Sequence, residues 1–358
     1  MGNETNRRNF LSTLAGVVSL IGIAPSLSAI EPARKKRLGV AMTSYGLRGK
    51  ASGDNKTNPP FKDAIDALDH CHELGGGGLQ IGLRGWSEAF TGRVRERRES
   101  YGMYLEGMIS LPKQPGDEAR FEAEVRTAKE AGAGIVRTAM LDGRRYESFE
   151  TAELFRQFAD KAWQSLVRAE PIARKHRIRL AIENHKDWRV PELLGILERM
   201  NSEYVGLCVD TGNSISLLED PLEVIKAYAP FAFTTHLKDM GVQEYADGFL
   251  LSEVPLGDGF LDLRKIVGLL EMAKPDLPFN LEMITRDPLK VPCLTEKYWA
   301  TLENLPALDL AKALAFIKKN ASKTPLPRAT GLTSDEQVAF EEENVRRSFD
   351  YARKHLGL

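Results

Sequence analysis

The chain is poor in cysteine: three in 358 residues, Cys71, Cys208 and Cys293, with no CxxC pair among them. An odd number at such spacings argues against a disulfide framework, and Cys208, inside an apolar run, reads as a small core residue. An excess of charge of either sign is also missing. Lys and Arg number 49 against 50 Asp and Glu, for a net charge of −1 with no sustained basic stripe; nothing here supports nucleic-acid binding. The mildly apolar stretch from Leu14 to Ile23 is too short to span a bilayer. A glycine-rich dinucleotide fingerprint is absent too, because the first candidate strand runs into Met42-Thr-Ser-Tyr-Gly46. What remains is ordinary for a folded soluble protein, 42% hydrophobic and 28% charged, with length for one large α/β barrel or two smaller domains.

The first 29 residues differ in kind from the rest. Asn6-Arg7-Arg8-Asn9-Phe10-Leu11 precedes the apolar stretch, and Ser26-Leu27-Ser28-Ala29 offers small residues for cleavage. That three-part layout is a signal peptide, and the paired arginines before Phe-Leu resemble a twin-arginine export signal; an amphipathic N-terminal arm is the plainer alternative. Export to the periplasm is the expectation. Since this route carries folded proteins, a metal could be loaded beforehand. The basic cluster from Arg34 to Arg37 reads as a solvated lead-in to the first strand.

From residue 30 to 321, branched apolar runs alternate with amphipathic stretches, the pattern of βα repetition. Expected strands are Leu38–Ser44, Gly78–Leu83, Met103–Ser110, Gly134–Met140, Ile178–Asn184, Tyr204–Asp210, Phe231–Leu237 and Phe279–Met283. Expected helices are Lys62–Leu74, Arg93–Ser100, Glu118–Ala131, Ala152–His176, Pro191–Met200, Pro221–Tyr228 and Leu263–Ala273, with an eighth near Leu308–Lys319. This count predicts an α/β fold, a (β/α)8 barrel; a doubly wound open sheet is the alternative. Two segments exceed a minimal barrel: Met240–Gly259 after the seventh strand and Ile284–Leu305 after the eighth. Both are read as long loops forming a lid or pocket wall. Residues 322–358 read as a linker and a C-terminal helix, capped at Ser334-Asp-Glu-Gln337 and running to about His355; it either covers the barrel or pairs with another subunit.

Four expected strands end in ligand-type side chains: Glu183, Asp210, His236 and Glu282, separated by 27 (210 − 183), 26 (236 − 210) and 46 (282 − 236) residues. One βα unit takes roughly 25–30 residues. Two gaps are therefore one unit each and the third is a unit plus an insertion, which puts all four at the carboxyl ends of consecutive strands, where such folds place their sites. Three carboxylates and an imidazole suit one divalent cation, Mn, Mg, Co or Zn. For any one of these residues alone, a capping or solvent-facing role at a strand end is the competing reading.

Glu183-Asn-His185, Val209-Asp210-Thr-Gly-Asn213, Thr235-His236-Leu-Lys238-Asp239, Pro255-Leu-Gly257-Asp-Gly259 and Leu281-Glu282 resemble the xylose isomerase-like TIM barrels, the sugar phosphate isomerase/epimerase superfamily, over about Leu38 to Lys319. The resemblance implies one metal, manganese first, on Glu183, Asp210, His236 and Glu282, with Glu183 and Glu282 as the acid/base pair. Inverting a centre next to a carbonyl needs one group to remove the proton and another to return it from the opposite face. The resemblance also implies that Lys238 points into the pocket, where a buried ion pair with Asp239 or Glu183 is the alternative, and that a homodimer is possible.

This chain departs from the family in two places: Asn213 stands where a His is common, and Val242 where ketose epimerases carry an Arg. The second and third strand ends, Gly82-Leu-Arg84-Gly-Trp86 and Ser110-Leu-Pro112-Lys113, lack the histidines of endonuclease IV, which disfavours phosphodiester hydrolysis. Further candidates for substrate contact are His185, Asn213, Arg286 and Trp86; for Trp86, Trp188 and Trp299, packing is the competing role. Arg286, Asp287 and Lys290 follow the last ligand strand, where barrels often bind phosphate. Export argues against phosphate, and Arg286 binding a carboxylate, a hydroxyl or Asp287 is the alternative. Gly257-Asp-Gly259 reads as a tight turn, with substrate approach as the alternative. His70-Cys71-His72 lies on a helix whose adjacent residues face apart, so it is no metal site. The expectation is a metal-dependent isomerase or epimerase of an unphosphorylated keto-sugar, inosose or keto-glycoside. The alternatives are a 3-keto-glycoside lyase using the same site and a carbohydrate-binding barrel without chemistry.

Overall fold

The computed structural model describes residues 37–51, 55–302 and 304–358. The expected signal peptide, residues 1–29, lies outside the described residues. Along the chain come β1 (Gly39–Ala41), β2 (Gly78–Gly82), β3 (Tyr104–Met108), β4 (Ile135–Thr138), β5 (Arg179–Glu183), β6 (Val205–Asp210) and β7 (Ala232–Leu237). A hairpin of β8 (Asp239–Tyr245) and β9 (Gly248–Val254) follows, then β10 (Phe279–Leu281) and β11 (Leu289–Val291). Strands β1 to β7 and β10 close into a parallel barrel, while β8, β9 and β11 form a separate antiparallel sheet in the order β11-β9-β8.

The barrel strands are short and buried on both faces; Leu180, Ala181 and Ile182 of β5 are fully buried. That is why they read as continuous apolar runs without alternation. The helices are α1 (Ala64–Glu73), α2 (Glu88–Ser100), α3 (Glu118–Glu130), α4 (Arg145–Ser148), α5 (Ala152–His176), α6 (Val190–Met200), α7 (Pro221–Tyr228), α8 (Leu263–Ala273), α9 (Glu296–Trp299), α10 (Ala307–Asn320) and α11 (Ser334–Tyr351). Side-chain caps start several of them. Asp63, Ser87, Thr151, Asp220 and Asp262 each accept a backbone N–H of the first turn, and Thr333 with Glu336 makes a capping box. Ser87 explains why α2 begins five residues before the expected Arg93.

Three departures from the sequence expectation bear on the site. Strand β1 stops at Ala41, and Met42–Tyr45 turns over the barrel mouth as a 3-10 segment. Ser44 holds that turn by donating to Leu281 O (3.1 Å) and accepting from Met283 N (3.0 Å). The expected loops at 240–259 and 284–305 contain the β8–β9–β11 sheet, whose apolar residues Met240, Val242, Phe249, Leu251 and Val291 belong to a second core.

The helix that completes the ring is α11, not the segment near 308–319. Val345, Phe349 and Ala352 join the barrel core, whereas Ile317 of α10 joins the second core. Further contacts fix α11 in place. Glu341 accepts from the backbone N–H of Leu47 (2.7 Å) and Arg48 (2.8 Å), Glu342 pairs with Arg48 and with His70 of α1 (3.2 Å each), and Asn344 donates to Thr285 (2.9 Å). The C-terminal helix thus lies against the barrel in the eighth-helix position.

Candidate active site

Strand register sets the site. Asp210 of β6 lies opposite His236 of β7, Glu183 of β5 opposite Cys208 of β6, and Asn280 of β10 opposite His236, which leaves Glu282 just beyond β10. Glu183, Asp210, His236 and Glu282 are all buried, and one ligand-type atom from each falls within 4.8 Å of the others. His236 Nδ1 is 3.3 Å from Glu183, 3.4 Å from Glu282 and 4.0 Å from Asp210.

Each member is held from behind. Gln80 Nε2 donates to Glu106 (2.9 Å), so its Oε1 faces His236 Nε2 at 2.7 Å and must accept from it. That turns Nδ1 to the carboxylates. Burial opposes a charge there, but Cys208, Glu282 and Glu183 outweigh it and raise the imidazole well above its usual range, so a cation taking up Nδ1 would displace its proton. Glu106 is itself held by Thr234 (2.8 Å) and Asn280 (3.1 Å). Asp210 Oδ1 accepts from Gly212 N (2.9 Å) and Asn213 N (2.7 Å). Glu183 takes Nε of Arg137 at 2.5 Å and Nδ2 of Asn213 at 3.1 Å, and Thr43 donates to Glu282 Oε1 at 2.7 Å.

Asp210 Oδ2 and His236 Nδ1 are buried without a hydrogen-bond partner. Buried polar atoms are almost always satisfied, so two orphans facing one point mark a position for something else. Three carboxylates and an imidazole around it fit a divalent cation.

Lys238, 2% exposed, brings Nζ to 2.9 Å from Asp210 Oδ2, too oblique for a hydrogen bond, and to 2.7 Å from Glu282 Oε2. Burial opposes its charge, but Asp210, Glu282 and Glu253 outweigh that and raise its pKa. Burial would also raise both glutamates. Arg137 and His236 hold Glu183 below the usual carboxylate range, and His236 and Lys238 do the same for Glu282, so both are ionised. Asn213 is the hub: its Oδ1 accepts from Lys238 (3.2 Å) and from Lys186.

Of the other expected residues, His185 lies just past β5 with Nδ1 at 2.9 Å from Leu141 O, and burial lowers it to about 4, so it is neutral. Arg286 pairs with Glu253 (2.6 Å) rather than Asp287, whose carboxylate instead accepts from Ala329 N (2.8 Å) and Thr330 N (2.9 Å). Trp86 packs edge-on against Phe90 at 5.2 Å. Trp188 lies among Phe155 and Phe158, and Trp299 donates to Cys293 O (2.9 Å). Asp239, the alternative partner for Lys238, is engaged with backbone N–H groups of the Gly257–Gly259 turn.

The sequence profile of the xylose isomerase-like TIM barrel family matches residues 68–319. The chain belongs to that family. The chain is 30% identical over 124 residues to 3-oxo-isoapionate decarboxylase of Pectobacterium atrosepticum, a match spanning 34% of this chain and only 45% of that protein. Its fold is similar to that of D-psicose 3-epimerase solved with D-fructose (TM-score 0.57, 13% identity, 90% of this chain and 100% of the other). It is also similar to a xylose isomerase-like TIM barrel protein of Mycobacterium smegmatis in complex with magnesium (TM-score 0.54, 19% identity, 78% and 98%). At these identities the structures attest the fold.

Gln80, Glu106, Arg137, Lys186, Glu253 and Thr43 were not among the residues expected from sequence. Three carried a legible signal. Gln80, Glu106 and Arg137 are polar residues inside apolar strand runs, and a polar side chain inside a barrel must have a partner there. Lys186 follows the Glu183-Asn-His185 motif without belonging to it. Glu253 sits on β9, in a segment read as loop.

Proposed function

We propose that this family member binds one divalent cation, manganese first, through Glu183, Asp210, His236 and Glu282, and catalyses proton transfer next to the carbonyl of an unphosphorylated keto-sugar, inosose or keto-glycoside. The observation that carries this reading is the pair of buried orphan atoms, Asp210 Oδ2 and His236 Nδ1, facing two ionised glutamates. A cation bound there supplies positive charge to the substrate oxygens as negative charge develops on them.

The chain's own residues divide the remaining work. Glu183 and Glu282 come from β5 and the end of β10, on either side of His236, and serve as the two proton-exchanging groups. Arg137 keeps Glu183 ionised and fixed, while Thr43 orients Glu282. Lys238 offsets one of the two charges of the Asp210–Glu282 pair and is held between those carboxylates and Asn213. Neutral His185 offers a polar contact, while buried Asn213 links Lys186 and Lys238 to Glu183. The expected signal peptide supports an exported enzyme and an unphosphorylated substrate.

Proton exchange by NMR in D2O, with metal-loaded mature protein and free ketoses, inososes and 3-keto-glycosides, tests the proposal. Deuterium is expected at one α-carbon, and is lost with Glu282→Gln or on chelation. A protein that holds one metal and exchanges nothing would refute it. A second reading, cleavage of a bond at the α-carbon in place of C–H, is favoured by the sequence match to a decarboxylase and begins from the same charge arrangement. Product analysis in the same tubes separates the two.

A further inference from the structure

Charge in the barrel mouth is not balanced locally. Glu183 is paired with Arg137, Glu253 with Arg286, and Asp210 and Glu282 share Lys238. Lys186 has no such partner. It is 4% exposed, its ammonium contacts the amide oxygen of Asn213, and no carboxylate of the described residues comes within ion-pair distance. A buried ammonium with no carboxylate in direct contact is costly, and a bound anion would relieve that cost. The cost is visible in its proton affinity: burial, then the positive charge of Lys238, pull Lys186 down to about 8, although the more distant carboxylates Glu253 and Asp210 act in the other direction.

The location matters as much as the charge. Asn213 bridges Lys186 to Glu183, one of the proposed proton-exchanging groups, at 3.1 Å. An anion on Lys186 would therefore lie beside a substrate whose reacting carbon sits between the two glutamates. Two guanidinium groups also face the mouth's carboxylates, and the charge of Arg286 reaches Lys186. Arg137 turns Nε and Nη2 to Glu183, and Arg286 turns Nε and Nη2 to Glu253. Each guanidinium is held along one edge by its carboxylate, and Nη1 makes no hydrogen bond among the described residues. In the mouth four carboxylates (Glu183, Asp210, Glu253, Glu282) face four cations (Arg137, Lys186, Lys238, Arg286), with Glu106 buried behind His236. A bound divalent cation adds two positive charges to this mouth, which favours anions.

We infer that the substrate carries a carboxylate, bound by Lys186 with the free edges of Arg286 and Arg137, and that the enzyme acts on a keto acid of the sugar series rather than on a neutral sugar. This deepens the proposed function and rests on it for the position of the reacting carbon. A carboxylate is preferred to a phosphate because a single ammonium and two separate guanidinium edges match a planar monoanion, and the mouth is not otherwise lined by free cations among the described residues.

The test is calorimetric titration of metal-loaded protein with matched probes: D-fructuronate against D-fructose, D-tagaturonate against D-tagatose, and 2-keto-D-gluconate, with D-fructose 6-phosphate as the phosphate arm. A keto acid is expected to bind roughly 10- to 100-fold tighter than its neutral counterpart, the worth of one or two charge-assisted bonds. The preference should weaken with added salt and disappear in Lys186→Gln. Arg286→Lys, which keeps the charge beside Glu253 but removes the fork, should reduce it without unfolding the mouth. Equal binding of acid and neutral partners, no keto-acid binding by folded wild-type protein, or tighter binding of the phosphate ester would each overturn the assignment. Deuterium exchange run in parallel keeps the two ideas apart. Exchange in neutral ketoses without acid preference sinks this inference alone, whereas tight acid binding without exchange sinks only the proposed reaction.

Discussion

Removing the Asp239 carboxylate should loosen the mouth of the barrel by a predictable amount. Asp239 is 1% exposed and accepts four backbone N–H groups: Met240 (2.9 Å), Gly257 (2.9 Å), Gly259 (3.0 Å) and Leu261 (3.1 Å). It pins the turn after β9 to the start of β8, beside Lys238. Each such bond is worth about 1 kcal/mol net, and water can replace the one to exposed Gly257, so Asp239→Ala should cost about 3 kcal/mol. Gly259→Ala should cost nearly as much while deleting no polar group. A Cβ there would stand 2.0 Å from Asp239 Oδ1 and 2.6 Å from Met240 N, so the carboxylate must leave. Because both changes break the same bonds, the double variant should be far less destabilised than the sum of the two. Urea unfolding of the three variants measures this. A loss below about 1 kcal/mol for Asp239→Ala, or additive losses in the double variant, would refute the account.

Divalent manganese or magnesium at a thousandfold excess over its Kd should stabilise the wild type by about 4 kcal/mol. Asp210→Asn should abolish that gain; thermal unfolding at graded metal concentrations reads it, and an equal gain in the variant would remove Asp210 from the site. Gln80→Leu should weaken metal affinity roughly 10- to 100-fold by freeing the His236 ring, while circular dichroism stays unchanged. Unaltered affinity by calorimetry would show that Gln80 does not hold the ring. Burial raises the Glu341 carboxyl to about 7, above its value in the unfolded chain. The folded state therefore keeps a proton that the unfolded state has released, so this contribution to stability is full below about pH 4 and is lost as pH rises through about 7. Glu341→Gln should flatten stability against pH across that window by at most about 3 kcal/mol; parallel urea midpoint curves for variant and wild type would contradict it.

Much of the architecture could be read before folding. Helices α5, α7 and α8 occupy the residues expected of them, because their apolar periodicity and caps are local. The spacing of Glu183, Asp210, His236 and Glu282 survives for a similar reason: a βα unit has a nearly fixed length, so residues one unit apart return to the same end of neighbouring strands. Less of the mouth was legible. The hairpin β8–β9 pairs with β11 across more than thirty residues (Leu251 with Leu289), and only tertiary packing makes that pairing worthwhile. Likewise α10 and α11 are both amphipathic enough to close a barrel; which one does so depends on the partners that Leu47, Arg48 and His70 offer to Glu341 and Glu342.

The sequence by itself determined the βα alternation, the barrel and the four ligand-type residues at its rim, because each depends on periodicity or on distance along the chain. Only the tertiary structure decided how that rim is charged. Arg137, Lys186, Lys238, Glu253 and Arg286 come from strand ends and an inserted sheet that meet only in the folded mouth. A side chain's charge is written in the sequence, but the partner that balances it, or the absence of an ion pair for Lys186 among the described residues, exists only in three dimensions.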